Sequence, residues 1–445
     1  MRKEGGRRTF FLSTLGCPKN EVDSDLIGSL LLASGWTKVE NPEDADLLLV
    51  NTCSFIVPAV EESIETVLDL VEVKAEEGKR LAVIGCLVAR YGEDTLRTLL
   101  PEVDFFVRPS QYAAFAALLH GGEIKDAAST ARSRRFSSTL QKGYVYIKIS
   151  EGCHRRCTYC TIPGIRGPQR SRPWEQIREE ARFFLTQGAK ELVLVAQDVT
   201  SYGRDLYGRA CLSLLLEKLL EVEGDYRLRL MYMHPEGVDD QVLAFMKHPH
   251  IQPYLDLPMQ HVDVNVLRSM GRKGGPASHR RLVERIRDGL PGAALRATFI
   301  VGFPGEDERA FASLLDFVAD TRFDWLGLFG YSQEEGTAAY HLGGKCPPGL
   351  IERRLDEIRA LQEEIMREKA GLMVGRKLRV LVEGESEEAP GYWQARSYRE
   401  APDIDGVIFL PAAEGLRAGT WREVVVESTE GIDLIAAPLA QKIYG

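Results

Sequence analysis

From residue 8 to about residue 122, short continuous apolar runs alternate with segments of helical period. Phe10-Phe11-Leu12, Asp46 to Val50, Leu81 to Ile84 and Val103 to Val107 predict strands, and Glu21 to Ser34 and Ala59 to Ala75 predict helices between them. Strands that are apolar on both faces and are separated by helices build a parallel sheet covered on both sides. Residues 123–142 break the pattern: the stretch from Ala128 to Ser138 is rich in Ser and Arg and reads as a solvated linker. The alternation then returns over 143–372. Strands are predicted at Tyr144 to Ile149, Glu191 to Ala196, Tyr226 to Tyr232, Tyr254 to Leu257, Ala297 to Val301 and Trp325 to Gly330, followed by a charged helix from Pro348 to Leu372. Six strand–helix units in series fit an open, partial parallel barrel. From about 374 to 442 the period shortens. Lys377 to Val382, Gly391 to Ser397, Gly406 to Leu410 and Trp421 to Glu427 alternate with Gly, Pro and Asp, the pattern of a small all-β barrel.

Composition narrows the class. At 445 residues, with 44% hydrophobic and 27% charged positions, the chain has the balance of an ordinary soluble protein with more than one domain. No apolar run is long enough to span a bilayer, and the basic stretch Met1 to Arg8 leads into a strand rather than a signal-peptide core. The expected compartment is therefore the cytoplasm, with no membrane partner. A net charge of −9 disfavours non-specific binding to nucleic acid by the whole chain.

Eight cysteines change the picture: Cys17, Cys53, Cys86, Cys153, Cys157, Cys160, Cys211 and Cys346. In a large cytosolic chain, clustered cysteines point to metal or redox chemistry. Cys17, Cys53 and Cys86 each follow a predicted strand of the N-terminal sheet. The carboxyl ends of parallel strands lie along one edge, where ligands bind, so these three can converge. The plain alternative is three unrelated buried thiols. Three thiolates fall one short of a structural zinc site, whereas a four-iron cluster held by three cysteines keeps one iron open.

The sharper signal is Cys153-His154-Arg155-Arg156-Cys157-Thr158-Tyr159-Cys160, a Cys-x3-Cys-x2-Cys loop just after a strand. Zinc motifs come as two Cys-x2-Cys pairs or with paired histidines, and neither is nearby. His154, between the loop cysteines and two arginines, reads as exposed loop. Cys211 lies in a leucine-rich helical stretch and reads as core, and Cys346 reads as loop. His234 and His261 sit at strand ends, where they could line a pocket or serve structure.

The loop resembles that of the radical S-adenosylmethionine superfamily. With the N-terminal cysteine set and the C-terminal barrel, nearly all of the chain resembles the methylthiotransferases of that superfamily. The motifs that carry the resemblance are Ser13 to Asn20, Val50-Asn51-Thr52-Cys53, Gly85-Cys86, the Cys153 loop, Pro258-Met259-Gln260-His261, Arg296 to Glu306 and Tyr331 to Thr337. The fold class is then α/β. A flavodoxin-like N-terminal parallel-sheet domain over 8–122 precedes a partial (βα)6 radical core over 143–372 and a C-terminal all-β TRAM barrel over 374–442.

The resemblance implies two [4Fe-4S] clusters and S-adenosylmethionine. Cys153, Cys157 and Cys160 would be the catalytic set that holds the radical-generating cluster. Cys17, Cys53 and Cys86 would hold a second, sulfur-donating cluster. Tyr159 would pack near the adenine, Gln197 and Asp198 would meet the methionine end, and Gly302 and Gly305 would let the backbone approach the nucleoside. It also implies an electron donor such as flavodoxin or ferredoxin.

One branch of the family acts on an adenosine of transfer RNA and the other on an aspartate of the twelfth small-subunit ribosomal protein. Leu15 to Asn20 with Val22-Asp23-Ser24, Tyr331 to Thr337 and Ala401 to Gly406 look like the second branch. The barrel's charge agrees: Val374 to Gly445 carries eight Lys and Arg against twelve Asp and Glu. A barrel that grips RNA should be basic; an acidic one suits a basic ribosomal protein, and no direct grip on RNA is expected of it. Transfer-RNA modification is the neighbouring alternative. A non-catalytic two-cluster electron carrier and a zinc-stabilised scaffold are alternatives of other classes. A carrier would leave six strand–helix units and glycine-rich strand ends without a role.

Overall fold

The computed structural model describes residues 8–75, 78–120 and 134–439. The basic stretch before residue 8, residues 123–133 of the predicted linker and residues 440–442 of the predicted C-terminal barrel lie outside the described residues. The N-terminal sheet has five parallel strands: β1 (Thr9–Thr14), β2 (Thr37–Lys38), β3 (Leu47–Thr52), β4 (Arg80–Gly85) and β5 (Phe105–Val107). Their order is β2-β1-β3-β4-β5, so the central strands are covered on both faces. Leu47 and Leu49 pack with Phe10, Ile27 and Leu31 on one face, while Leu48 and Val50 pack with Val67, Leu81 and Val83 on the other. The first helix starts at Pro18, earlier than its apolar period indicates, because proline is pre-organised for the first turn of a helix.

The radical core holds six parallel strands: β6 (Tyr144–Lys148), β9 (Glu191–Val195), β10 (Arg227–Leu230), β11 (Tyr254–Gln260), β12 (Ala294–Val301) and β13 (Trp325–Gly330). A short antiparallel pair, β7 (Ser150–Glu151) with β8 (Arg170–Ser171), brackets the Cys153 loop; the apolar pattern gave no sign of it. Two ladders, β10-β9-β6 and β11-β12-β13, are stitched by the bridge Leu228–Ile251 and by Met233 N donating to Asp256 O at 2.8 Å. Strand alternation sorts the side chains. Val145, Ile147, Leu192 and Leu194 face the outer helices, whereas Tyr144, Tyr146, Val193, Val195, Met231, Tyr254, Ala294 and Trp325 form a separate cluster inside the barrel.

The C-terminal barrel is closed by β14 (Lys377–Glu385), β15 (Tyr392–Arg396), β16 (Ile408–Pro411), β18 (Asp433–Pro438) and β17 (Thr420–Glu430), in that spatial order. Its β15–β16 segment docks on the inner end of the radical barrel. Asp403 accepts from the hydroxyls of Tyr144 (3.1 Å) and Tyr146 (3.3 Å), and Asp405 accepts from Tyr254 (2.6 Å). Beside them, buried Arg396 pairs with Glu191 (3.0 Å) and Glu383 (2.6 Å), and Arg229 pairs with Glu191 (2.8 Å). Some of the barrel's acidity is thus spent internally, yet Glu385, Glu387, Glu388, Glu414, Glu423, Glu427 and Glu430 remain exposed.

Arg135 corrects the reading of its segment as a solvated linker. It is fully buried and pairs with Asp25 of the N-terminal helix (2.6 Å) and Glu180 of the core (3.0 Å). A guanidinium can bridge two carboxylates from different elements, and a Ser/Arg-rich composition does not reveal that. Among the described residues no helix is long and apolar enough to cross a membrane.

Candidate functional site

Cys17 caps the first helix, Cys53 follows β3, and Cys86 opens the helix after β4. The three turns are neighbours. Gly16 holds a positive φ of 90°, and a Cβ there would stand 2.7 Å from Cys53 Cβ and 2.9 Å from its sulfur. The glycine is therefore what lets the Cys17 turn close onto Cys53. Asn20 ties the set together. Its Nδ2 donates to Leu15 O (2.8 Å) and Thr52 O (3.0 Å), and its Oδ1 lies 3.6 Å from Cys86 Sγ. Burial pushes the Cys53 thiol up, with Cys17 adding to it, and Cys86 up to about 12, with Cys17 and Cys53 adding to it. Such thiols become thiolates when a metal supplies the compensating charge.

The Cys153 loop runs from β7 to the helix Ile162–Arg166. It is pinned by Cys153 N to Gly167 O (3.1 Å), Thr158 N to Met270 O (3.0 Å) and Cys160 N to Cys157 O (3.1 Å). Burial also raises Cys153, and raises Cys160 to about 12, with Cys157 contributing to both. Among the described residues no three His, Cys, Asp or Glu side chains approach one point closely enough to hold a single ion. Three thiols per set suit a [4Fe-4S] cluster, which leaves one iron open, better than a structural zinc site, which takes four protein ligands.

Arg166 joins the two sets. From the helix after the Cys160 loop it donates to Cys86 Sγ (3.0 Å) and Asn20 Oδ1 (2.6 Å), and pairs with Asp23 (2.6 Å) and Glu151 (3.4 Å). Lys148 pairs with the same two carboxylates. Burial works against ionised Glu151, but Lys148 and Arg166 prevail and hold it at about 2.

The predicted cofactor contacts divide. Tyr159 is half-buried beside the thiols, with its ring 6.3 Å from Phe303, which is 5.1 Å from Tyr331. Gln197 donates to Glu151 (3.2 Å), and its Oε1 is buried with no partner, an acceptor left for a ligand. Asp198 is already engaged: Oδ1 takes Thr200 N (3.0 Å) and its hydroxyl (2.6 Å), and Oδ2 takes Arg155 (2.6 Å). Gly302 has φ +79°, and a Cβ there would lie 2.3 Å from Ile351 Cγ1, so helix packing alone demands the glycine. At Gly305 a Cβ would meet nothing within 4 Å.

His154 is half-buried rather than exposed; its ring nitrogens contact Gln169 (2.7 Å) and Arg204 (3.2 Å), partners that sequence does not place. His234 accepts from Glu236 N (3.3 Å), and burial pushes it down to about 2. His261 accepts from Asp263 N (3.0 Å), with Glu306 3.3 Å from its other nitrogen. Cys211 is buried core, and Cys346 lies against Glu306 and Arg354. Arg166 and Arg272, the latter half-buried against Tyr159 and Cys157, were not singled out by the sequence; neither stands in a recognisable motif.

Comparison with known proteins agrees with this layout. The model of the uncharacterized protein family UPF0004 matches residues 9–108, that of the radical SAM superfamily residues 147–318, and that of the TRAM domain residues 374–439. A protein of Carboxydothermus hydrogenoformans named ribosomal protein uS12 methylthiotransferase RimO is 40% identical over 96% of this chain and 98% of its own. Proteins of the same name from Nitratidesulfovibrio vulgaris strain DP4 (42%, covering 95% and 98%) and Aquifex aeolicus (41%, covering 95% and 95%) are as similar. Among solved structures, the radical S-adenosylmethionine methyltransferase TsrM from Kitasatospora setae, with cobalamin and a [4Fe-4S] cluster bound, aligns over 93% of this chain and 84% of its own. Its TM-score is 0.55 at 14% identity, a likeness of fold.

Proposed function

Because the chain belongs to the RimO family of radical S-adenosylmethionine methylthiotransferases, we propose that it places a methylthio group on the β-carbon of an aspartate in ribosomal protein uS12. The observation that carries the reading is the pair of three-thiol sets linked by Arg166, which stands in the helix after the Cys153 loop and donates to Cys86. In this reading Cys153, Cys157 and Cys160 hold the radical-generating [4Fe-4S] cluster, and Cys17, Cys53 and Cys86 hold a second cluster that carries the sulfur. When bound, the clusters and S-adenosylmethionine supply a 5′-deoxyadenosyl radical, a methyl group and the transferred sulfur.

The protein's own part is to bind and orient. A β-hydrogen of aspartate is far too weakly acidic for a side-chain base whose pKa is matched to neutral pH, so no general base is needed. The loop bonds from Gly167, Met270 and Cys157 fix the Cys153 set, and Asn20 and Arg166 fix the second set against it. Tyr159, Gln197 and Gly305 are the candidates to meet S-adenosylmethionine; Asp198 and Gly302 would support the site from behind.

Exposed acids on the C-terminal barrel support a basic protein partner rather than RNA. A ribosomal-protein substrate and a one-electron donor such as flavodoxin or ferredoxin are consistent with a cytoplasmic enzyme. The test is mass spectrometry after anaerobic reaction of the cluster-loaded protein with reductant and S-adenosylmethionine. The uS12 loop peptide and a transfer RNA are offered in parallel. A methylthio mass gain on the peptide's aspartate alone is expected; a gain on the RNA alone would overturn the reading.

A further inference from the structure

Lys19 is a buried cation that no carboxylate of the described residues pairs with. It is the second residue of the helix that starts next to Cys17 and is only 8% exposed. Its ammonium lies 3.4 Å from the centre of the Tyr232 ring, which stands just beyond β10, so it crosses from the N-terminal sheet to the radical barrel. No described carboxylate comes within 4.0 Å of it to make an ion pair. Cys17 and Tyr232 are the groups whose charge acts on it most, and Asp256, an acid whose charge also reaches it, is occupied. Asp256 Oδ1 receives Arg296 (3.1 Å) and Oδ2 receives Tyr232 N (2.8 Å). The cations around it are answered: Lys148 and Arg166 by Asp23 and Glu151, Arg296 by Asp256 and Asp405.

A buried ammonium is costly unless something pairs with it, and an aromatic face compensates only in part. Tyr232 itself is held at φ +60°, a conformation uncommon outside glycine and typical of sites where geometry serves a ligand. A further partner for the ammonium has to be an anion that reaches it beside Cys17 and the Tyr232 ring.

We propose that Lys19 binds the side-chain carboxylate of the aspartate to be modified. This rests on the aspartate reading given above and deepens it. The carboxylate is bonded directly to the β-carbon, so anchoring it beside Cys17 sets the reacting carbon next to the N-terminal cysteine set. It also gives a physical basis for substrate choice: a buried ammonium with no carboxylate partner in the protein favours an acid over its amide or a nucleoside.

The test measures binding apart from turnover. Fluorescence anisotropy of the cluster-loaded protein is recorded with labelled uS12 loop peptides that carry aspartate or asparagine at the target position. The wild-type protein should prefer aspartate by about tenfold or more, the scale of one charge-assisted hydrogen bond. Lys19→Met should bind both peptides alike, at the affinity of the asparagine peptide for the wild type, and Lys19→Arg should keep most of the preference. Iron content and thermal unfolding report whether each variant is intact. A Lys19→Met protein that still prefers aspartate would overturn the site. So would Lys19→Met that loses iron while keeping the preference, because the charge would then serve the Cys17 set. If Lys19→Met does not fold, the wild-type comparison decides alone: methylthiolation of the aspartate peptide with equal affinity for both peptides removes the site and leaves the function standing. Absence of both binding and modification would remove the uS12 reading itself.

Discussion

Arg166 donates a hydrogen bond to the sulfur of Cys86 at 3.0 Å from a helix that belongs to the other cysteine loop. The residue that closes one cysteine site thus completes the wall of the second. The same nitrogen, Nη2, also donates to Asn20 and Nη1 pairs with Asp23, and the guanidinium is nearly inaccessible. Arg166→Met would leave Asp23 with Lys148 alone and is expected to destabilise the protein by roughly 3 kcal/mol or more, the range for breaking a buried pair. Arg166→Lys keeps the charge but loses the fork, and should recover only part of this. Urea unfolding of both variants checks the order. In turnover, methylthio insertion should fall further than 5′-deoxyadenosine formation; an equal fall in both would show that the arginine serves only the radical site.

Metal content separates the two cysteine sets. The fully loaded wild-type protein should carry about eight irons per chain, the sum of two four-iron clusters. Cys53→Ala should lower this by about half while sparing some 5′-deoxyadenosine formation, and Cys157→Ala should abolish that formation. Iron and acid-labile sulfide analysis, with product chromatography, reads both. A correctly folded Cys157→Ala protein that still makes 5′-deoxyadenosine would unseat the assignment.

Gly302 and Ile351 make a pair whose energetics can be read as a cycle. Gly302→Ala puts a methyl 2.3 Å from Ile351 Cγ1 at a backbone angle that L-residues avoid. A loss of about 2–3 kcal/mol is expected. Adding Ile351→Ala should return the part due to the clash, though not the part due to φ, and that non-additivity is the measurable signature of contact. If the second change returned nothing, the glycine would owe its place to something other than the helix.

Glu21 supplies a pH dependence. Burial raises its carboxyl from an ordinary 4.5 to about 7, helped by Asp403 and Asp25, and its Oε2 is buried without a partner. With the folded-state value above the ordinary one, the neutral form favours the folded protein. That contribution is complete below about pH 4.5 and is lost as pH rises through 7, a swing of roughly 3 kcal/mol. Glu21→Gln cannot ionise. Its melting temperature should match the wild type near pH 5 and exceed it at pH 8; parallel curves across that interval would disprove the shift.

Much of the fold is local information and was legible. Leu47 to Val50 could only be a doubly covered strand, and Lys377 to Glu427 could only be short strands between turns. The cysteines were legible for a topological reason: Cys17, Cys53 and Cys86 recur at the carboxyl ends of parallel strands. What escaped depends on distant contacts. The segment Asp433–Pro438 closes the C-terminal barrel, yet its small, weakly alternating residues resemble a tail. Arg135 looked like solvent-facing linker until Asp25 and Glu180 were seen to surround it. Asp198 had the right strand-end position for a ligand contact, but its neighbours Thr200 and Arg155 claim its oxygens. At Gly302 the residue was noticed for the right conformational reason but with a nucleoside, not Ile351, as the expected neighbour.

The segment between β15 and β16 has a consequence for how this chain can be dissected. Its two aspartates answer three tyrosine hydroxyls from the barrel interior, and Arg396 shares Glu191 with Arg229 in the same buried layer. Deleting the C-terminal barrel would leave that layer facing water with its partners gone. A truncated enzyme would therefore report on the collapse of the radical core before it reported on substrate grip. The C-terminal barrel is a keystone of one cooperative unit, and the parts are expected to melt together in a single calorimetric transition.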